Sequence, residues 1–512
     1  MHWVELDDAF FLLPHICIRV GRVIDNTNTG GGGEKRGGSH VASWYVWCRT
    51  RLRFCHPEKN QVGSVNSNTN DEMTSCPTMF KIIIVLTSLL STNADFFQLT
   101  DIHVDLDQEC TDNTTHLYGN FDNSHYGCGA TSISVLDTSK FMHKIQPNID
   151  FIIFTGDAPW SGGVLPTMAS IQQSLSSIFP NTPLYFLMGN HDFTGKPFGT
   201  DATELYPQVA NLWGKWLDDA AHSEFSTFGY YSLLLPKKTS SSKPVRLIAL
   251  NTEHFNHGNS WVTLGKTWQE GQAQLLWLNQ TLTNATLNNE TCWLFGHVPP
   301  GMECGYLNDE SKTEASSYDT VRENWMPIWQ MQYQEIIELH ASNIALQSFG
   351  HEHVDTFRLV GSNSVLFSVP SLSTGYPATN PTTRLWHTDE LKGTVHDYTQ
   401  YHMDLINSNL EQKPLWNKSY TASEVYNLTD LTRSSMETLL ERFHSKSSSM
   451  YSKERRFFMS STPEKYQPKC DAWCQTVDLC DKEFGADIST DKGFQGCTYW
   501  RGRSLIGNNY EL

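Results

Sequence analysis

The sequence predicts an α/β layered domain followed by a smaller, mostly helical region. Short apolar runs alternate with longer amphipathic segments after residue 94, the pattern turns more polar around Tyr398, and four cysteines lie beyond that point. The runs 95–100, 149–155, 183–188, 245–250, 291–295, 344–349 and 365–369 have the length and apolar character of buried strands. Between them, 131–145, 165–179, 205–221, 271–282 and 321–341 read as helices. Strands alternating with helices imply helices layered on sheet. The expected limits are 95–397 for the layered domain and 398–512 for the helical, cysteine-containing domain.

Composition narrows the class. The chain has 512 residues, 39% apolar and 12% aromatic, ample for a large core and too apolar for a wholly disordered chain. With 37 Lys+Arg against 55 Asp+Glu, the net charge is −18. That excludes a binder of duplex nucleic acid, which needs basic surface to displace counterions. Mean hydropathy is −0.41, and no apolar run reaches the roughly 20 residues of a membrane-spanning helix.

The first 94 residues read differently from the rest. Met79-Phe80-Lys81, the apolar stretch 82–90 and the small residues up to Ala94 have the layout of a secretory signal peptide, residues 79–94. Residues 1–78 contain a glycine run at 30–33 and an Asn/Ser-rich stretch at 61–70, so a non-native or disordered extension is expected there. Six Asn-x-Ser/Thr sites, at Asn113, Asn279, Asn284, Asn289, Asn417 and Asn427, all lie after Met79. They suit a glycosylated chain, secreted, extracellular or lysosomal. So do eight cysteines beyond Met79: Cys110, Cys128, Cys292, Cys304, Cys470, Cys474, Cys480 and Cys497. Connectivity does not follow from sequence. Near-neighbour pairs 110–128, 292–304, 470–474 and 480–497 are expected. The last four lack paired CxxC units, which disfavours a zinc knuckle.

The chemistry lies at strand ends. The run to Thr100 leads into Asp101-Ile102-His103, that to Thr155 into Gly156-Asp157, and that to Met188 into Gly189-Asn190-His191-Asp192. The run to Phe295 leads into Gly296-His297, and that to Phe349 into Gly350-His351-Glu352-His353. Ligands of open α/β sheets bind beyond the carboxyl ends of strands, so these five tips are expected to converge. Glycine before four of them lets the backbone turn sharply. Carboxylate, imidazole and amide oxygen favour zinc, manganese or iron. Asp101 and His103, two apart on an extended segment, would face one side, and His351 and His353 repeat that spacing. Asp157, with two oxygens, is the natural bridge. Two cations roughly 3.5–4 Å apart can make a hydroxide at neutral pH and stabilise in-line displacement at phosphorus. His191, beside Asn190, can protonate a leaving alkoxide.

The order Asp-x-His, Gly-Asp, Gly-Asn-His-Asp, Gly-His, Gly-His-x-His resembles that of calcineurin-like metallophosphoesterases. Residues 295–301 (Phe-Gly-His-Val-Pro-Pro-Gly), Cys304 and the tail cysteines resemble the acid sphingomyelinase-like phosphodiesterases, from about Asp95 to Cys497. The resemblance implies a four-layer β-sandwich flanked by helices, with a smaller disulfide-stapled helical C-terminal domain. It implies two zinc ions per chain, with Asp101, His103, Asp157 and His353 on the first and Asp157, Asn190, His297 and His351 on the second. It implies His191 as proton donor or phosphate stabiliser, and hydrolysis of a small-molecule phosphodiester or phosphoanhydride outside the cytosol. The alternatives are a phosphomonoesterase and a weakly active secreted binding protein.

The chain departs from the family pattern. Only residues 95–100 separate the expected cut from Asp101, leaving no room for a saposin-like domain and favouring soluble nucleotides or similar phosphoesters. Ser161 stands where a histidine is usual, four residues after Asp157, and Gln108 replaces a common tyrosine. Purple acid phosphatases place an iron-binding tyrosine three residues after the bridging aspartate. Trp160 cannot supply a phenolate, which favours zinc. The loop 252–261, with His254, Phe255 and His257, would either wall a site or lie exposed, and the helix around Trp325 and Trp329 reads as packing.

Overall fold

The computed structural model describes residues 95–107, 117–119, 129–161, 163–193, 204–303, 322–374, 379–445, 449–467, 470, 472–485, 493, 495, 497 and 498, with the backbone of three earlier strands. Those strands, Phe11–Leu13, Ile16–Arg22 and Trp44–Cys48, form an antiparallel sheet within a unit separate from the rest. The 79–94 segment, Gln108, Cys110, Asn113, Cys128 and Cys304 lie outside the described residues.

Twelve strands build the principal domain in two six-stranded sheets. In chain order they are β1 (Phe96–Leu99), β2 (Phe151–Phe154), β3 (Leu184–Phe186), β4 (Tyr231–Leu234), β5 (Val245–Ala249), β6 (Thr291–Phe295), β7 (Ile344–Phe349), β8 (Thr356–Val360), β9 (Ser364–Ser368), β10 (Thr382–Asp389), β11 (Thr394–Met403) and β12 (Trp416–Thr421). One sheet runs β12-β11-β10-β1-β2-β3, the other β8-β9-β7-β6-β5-β4. β1, β2 and β3 are mutually parallel, as are β5, β6 and β7.

The sheets pack face to face. Phe96 of β1 stacks on Trp293 of β6 at 5.3 Å, and Phe367 of β9 meets Trp386 of β10 at 5.6 Å. Strand alternation decides which residues go where: Trp293 and Phe295 enter this inter-sheet core, while Leu294 faces the helices on the other side. Each fully buried aromatic or aliphatic side chain stabilises the domain by roughly 1.5–3 kcal/mol. Gln98 is the polar exception. Its amide oxygen accepts from Ser348 at 2.7 Å and Trp386 at 3.0 Å, so its burial costs no lost hydrogen bond.

Helices cover both outer faces, which completes four layers. Among the described residues the helices of nine or more residues are, in chain order, α1 (Ser132–Ile145), α2 (Val164–Ile178), α3 (Leu205–Trp213), α4 (Asp219–Phe228), α5 (Trp268–Leu287), α6 (Pro327–His340), α7 (Arg433–His444), α8 (Met450–Phe458) and α9 (Ala472–Phe484). In α2 the buried residues Val164, Met168, Ile171 and Leu175 fall on one 3.6-period stripe. Trp213 of α3 packs on Phe154 and Phe186, 5.8 and 5.4 Å away. α5 and α6 cover the second sheet through Leu278, Trp329, Tyr333 and Ile337. Trp325 and Trp329 are core residues, as the sequence suggests. The helix expected over 205–221 divides into α3 and α4 around a 3-10 turn at Gly214–Trp216. Among the described residues no helix is long and apolar enough to cross a membrane.

The boundary expected at 397/398 falls inside β11, which pairs with β10 and β12 in the first sheet. Polar residues disguise these strands in the sequence because they are satisfied only by tertiary partners: Arg384 of β10 donates to Gln400 of β11 at 2.8 Å. The disulfides Cys470–Cys474 and Cys480–Cys497 form as expected. Cys292 is buried and free in β6, and its expected partner Cys304 lies outside the described residues. Asn284, Asn289, Asn417 and Asn427 are exposed, while Asn279 is half-buried against His340.

Candidate metal centre

All five strand tips meet at one edge of the sandwich. β1, β2 and β3 bring Asp101, His103, Asp157 and Asn190 from one sheet; β6 and β7 bring His297, His351 and His353 from the other. Backbone hydrogen bonds lock neighbouring tips together, Asp101 N–H to Gly156 O and Gly350 N–H to His297 O, both at 3.0 Å.

The local backbone is not as the sequence suggests. Asp101, His103, Asp157, His351 and His353 all have left-handed φ, between +47° and +71°. The Asp-x-His and His-x-His segments are therefore tight turns, not extended. Such conformations cost of order 1–3 kcal/mol each and persist where surrounding structure over-determines them. The glycines serve close approach instead. A Cβ on Gly189 would lie 2.3 Å from Asp157 Oδ1, and one on Gly350 2.0 Å from Thr100 Oγ1 and 2.6 Å from Asp101 Oδ2. Of the four, only Gly156 has positive φ, at +94°.

Two clusters result, Asp101–His103–His353 and Asp157–His297–His351, the ligand atoms of each lying within 4.8 Å of one another. His353 Nε2 is 3.2 Å from both Asp101 Oδ1 and His103 Nε2. His297 Nε2 is 3.1 Å from Asp157 Oδ2 and 3.0 Å from Asn190 Oδ1, and His351 Nδ1 is 2.8 Å from that same amide oxygen. Asp157 Oδ2 also lies 3.5 Å from His103 Nε2, so it stands between the clusters.

Electrostatics leave these groups able to accept a cation. Burial would raise the Asp101 and Asp157 carboxyls, but the charge on His297 leads the opposing effects, and both are held well below the usual range. Burial lowers His103 to about 3 and His351 to about 4, leaving neutral imidazoles. Burial also opposes the charge on His297, yet Asp157 and Asp101 override it and push its pKa up to about 10. A cation would take the place of that proton. The fit has direct support: Asp101 Oδ1, which faces the cluster, is buried with no hydrogen-bond partner. His297 Nδ1 faces Thr155 O at 2.8 Å, which turns the Nε2 lone pair toward the site, as in metal-binding histidines generally.

His191 stands exposed at the mouth, its ring 4.9 Å from that of His103 and its backbone N–H donating to Asp157 Oδ1 at 2.7 Å. Ser161 is turned to other work, donating to Asp105 at 2.6 Å. Trp160 meets His103 edge-on at 6.2 Å. The 252–261 loop is largely buried. His254 is held by Asn251 and Gln274, and burial lowers its pKa to about 4.

Several supporting residues escaped the sequence reading. Asp192 accepts from the backbone N–H groups of Gly189, Asp157 and Ala158 at 2.7, 2.9 and 2.8 Å, tying two tips together. Its place in Gly-Asn-His-Asp was the available signal. Trp325 Nε1 donates to Val298 O at 2.9 Å and braces the His297 loop. Arg358 and Asp481 had no signal, because they pair with each other across 123 residues.

Residues 95–355 match the family model for calcineurin-like phosphoesterases, and 364–495 match that for the acid sphingomyelin phosphodiesterase C-terminal region. The chain is 30% identical to sphingomyelinase phosphodiesterase C of Dictyostelium discoideum, over 82% of this chain and 96% of that protein. It is 28% identical to acid sphingomyelinase-like phosphodiesterase 3b of Mus musculus, over 69% of this chain and 78% of that one. With cyclic GMP-AMP phosphodiesterase SMPDL3A of Rattus norvegicus the identity is 27%, over 75% and 88%.

Proposed function

The chain belongs to the calcineurin-like phosphoesterase family and is a metal-dependent phosphoric diester hydrolase, and on that premise we propose that it is a secreted, glycosylated enzyme with two zinc ions. Asp101, His103, Asp157 and His353 would hold one ion, and Asp157, Asn190, His297 and His351 the other. The observation that carries this is the pair of clusters meeting at the Asp157 carboxylate. Nitrogen and oxygen donors suit zinc, and Trp160 offers no phenolate for iron. When bound, the cations would acidify water and offer a positive field to the phosphoryl oxygens. The protein holds the ligands in their ionised or neutral forms and fixes their directions. His191, at the mouth, stabilises the phosphate and protonates the departing alkoxide.

The substrates are small phosphodiesters or phosphoanhydrides of nucleotide-like or phosphocholine type. The names of the rat and Dictyostelium relatives point to these two classes. Two disulfides and four exposed Asn-x-Ser/Thr sites support a compartment outside the cytosol. Zinc-loaded protein is expected to hydrolyse a chromogenic phosphodiester, and Asp157→Ala to abolish this. Undiminished turnover by that variant would end the proposal. One observation favours a weakly active scaffold instead: Ser161, bonded to Asp105, provides no imidazole at a position where the family usually has one. Brisk wild-type turnover removes that reading.

A further inference from the structure

Glu352 lies between two of the histidines, His351 and His353, yet turns away from the cage. Its carboxylate is gripped by both terminal nitrogens of Arg358, one of them at 3.0 Å, and accepts from Ser368 at 2.6 Å. Arg358 is fully buried in β8, and its Nε donates to Asp481 Oδ2 at 2.8 Å. Asp481 belongs to α9, far along the chain in the disulfide-stapled region. Its other oxygen, Oδ1, accepts from Met302 N–H at 3.2 Å, while Arg358 donates to Met302 O at 2.8 Å. Met302 ends the loop that begins at His297. At Gly301 the guanidinium comes so close that a Cβ would lie 2.5 Å from Arg358 Nε. One carboxylate therefore braces the segments carrying His297, His351 and His353. The next residue toward the N-terminus is Cys480, bonded to Cys497.

We infer that Asp481, acting through Arg358 and Glu352, is a positioning residue for the metal-binding histidines, which makes α9 part of the machinery that holds the metals. The inference rests on reading those histidines as ligands. A buried ion pair is weak evidence for stability, because desolvation offsets much of its Coulomb energy. What this one supplies is direction. The bidentate fork of Arg358 fixes Glu352 in the backbone between His351 and His353, and Asp481 fixes the fork.

Asp478 provides a matched control. It lies one turn earlier in α9, is equally buried, and pairs with Lys482 at 2.6 Å and with Tyr451 at 2.9 Å, touching neither histidine segment. The full chain is loaded with zinc, and its affinity is read by competition with a chromogenic chelator. Unfolding in excess chelator is measured in parallel. Asp481→Asn is expected to weaken zinc binding about tenfold, in the range for groups that orient metal ligands. Asp478→Asn is expected to lower stability yet leave zinc affinity unchanged. Wild-type affinity in Asp481→Asn, or an equal loss in Asp478→Asn, overturns the inference and leaves the ligand assignment standing. A wild-type chain that takes up no zinc overturns the ligand assignment itself, and this inference with it. If Asp481→Asn does not fold, Glu352→Gln, isosteric and outside α9, is read by the same two criteria.

Discussion

Replacing Gly350 by alanine tests whether the loop carrying His351 and His353 must approach Asp101 as closely as it does. The added methyl would lie 2.0 Å from Thr100 Oγ1 and 2.6 Å from Asp101 Oδ2. Ordinary contact begins at 3.4 Å, so the loop must retreat by about 1.4 Å from Thr100. Thr100 cannot easily yield, since it is buried and donates to Asp101 at 2.6 Å. The retreat also stretches the 2.8 Å bond from His351 N–H to Asp101 Oδ2. Misplacement of about 1 Å can cost about 100-fold in rate, close to 2.7 kcal/mol of transition-state stabilisation. Overpacking adds roughly 1–3 kcal/mol of instability. The assay is kcat/KM on a chromogenic phosphodiester, with zinc content measured on the same sample. A Gly350→Ala enzyme with wild-type kcat/KM and full zinc would refute the claim that this contact sets the site's geometry.

Three further outcomes follow from the same geometry. Dialysis against a strong chelator should abolish turnover and added zinc should restore it, with elemental analysis finding two zinc ions per chain; iron in the active protein would count against the donor argument. His254 is neutral when folded and protonated when unfolded between about pH 4 and its ordinary value near 6.5, so the unfolded state binds more protons there and stability rises with pH. With metal removed by chelator, the wild type should lose up to about 3 kcal/mol more than His254→Gln as pH falls from 7 to 4, and parallel urea curves would contradict this. Replacing Cys480 and Cys497 together by serine opens a loop of separation 17 and should cost about 3 kcal/mol in denaturant unfolding, whereas an unmoved midpoint would mean α9 is held without the disulfide.

Much of the centre was legible in one dimension. Short apolar strands ending in Asp, His or Asn carry both the fold signal and the donor atoms, and strand direction alone places such ends on one edge of a parallel sheet. That is why seven candidate donors could be named from spacing and resemblance; the structure brings their side chains together. What the residues could not declare is how each tip turns. The left-handed φ at Asp101, His103, Asp157, His351 and His353 is strained locally and is imposed by neighbours such as Thr100, Asp192 and Gly189. The strands β10 to β12 were missed for a related reason, because buried Arg384 and Gln400 look like surface until each is seen to satisfy the other. The link from Asp481 through Arg358 to Glu352 joins residues more than a hundred positions apart. Sequence by itself determined which atoms are available as donors and on which strand ends they sit. Tertiary structure alone decided which buried charges face one another, since that pairing depends on long-range packing and leaves no periodic trace in the chain.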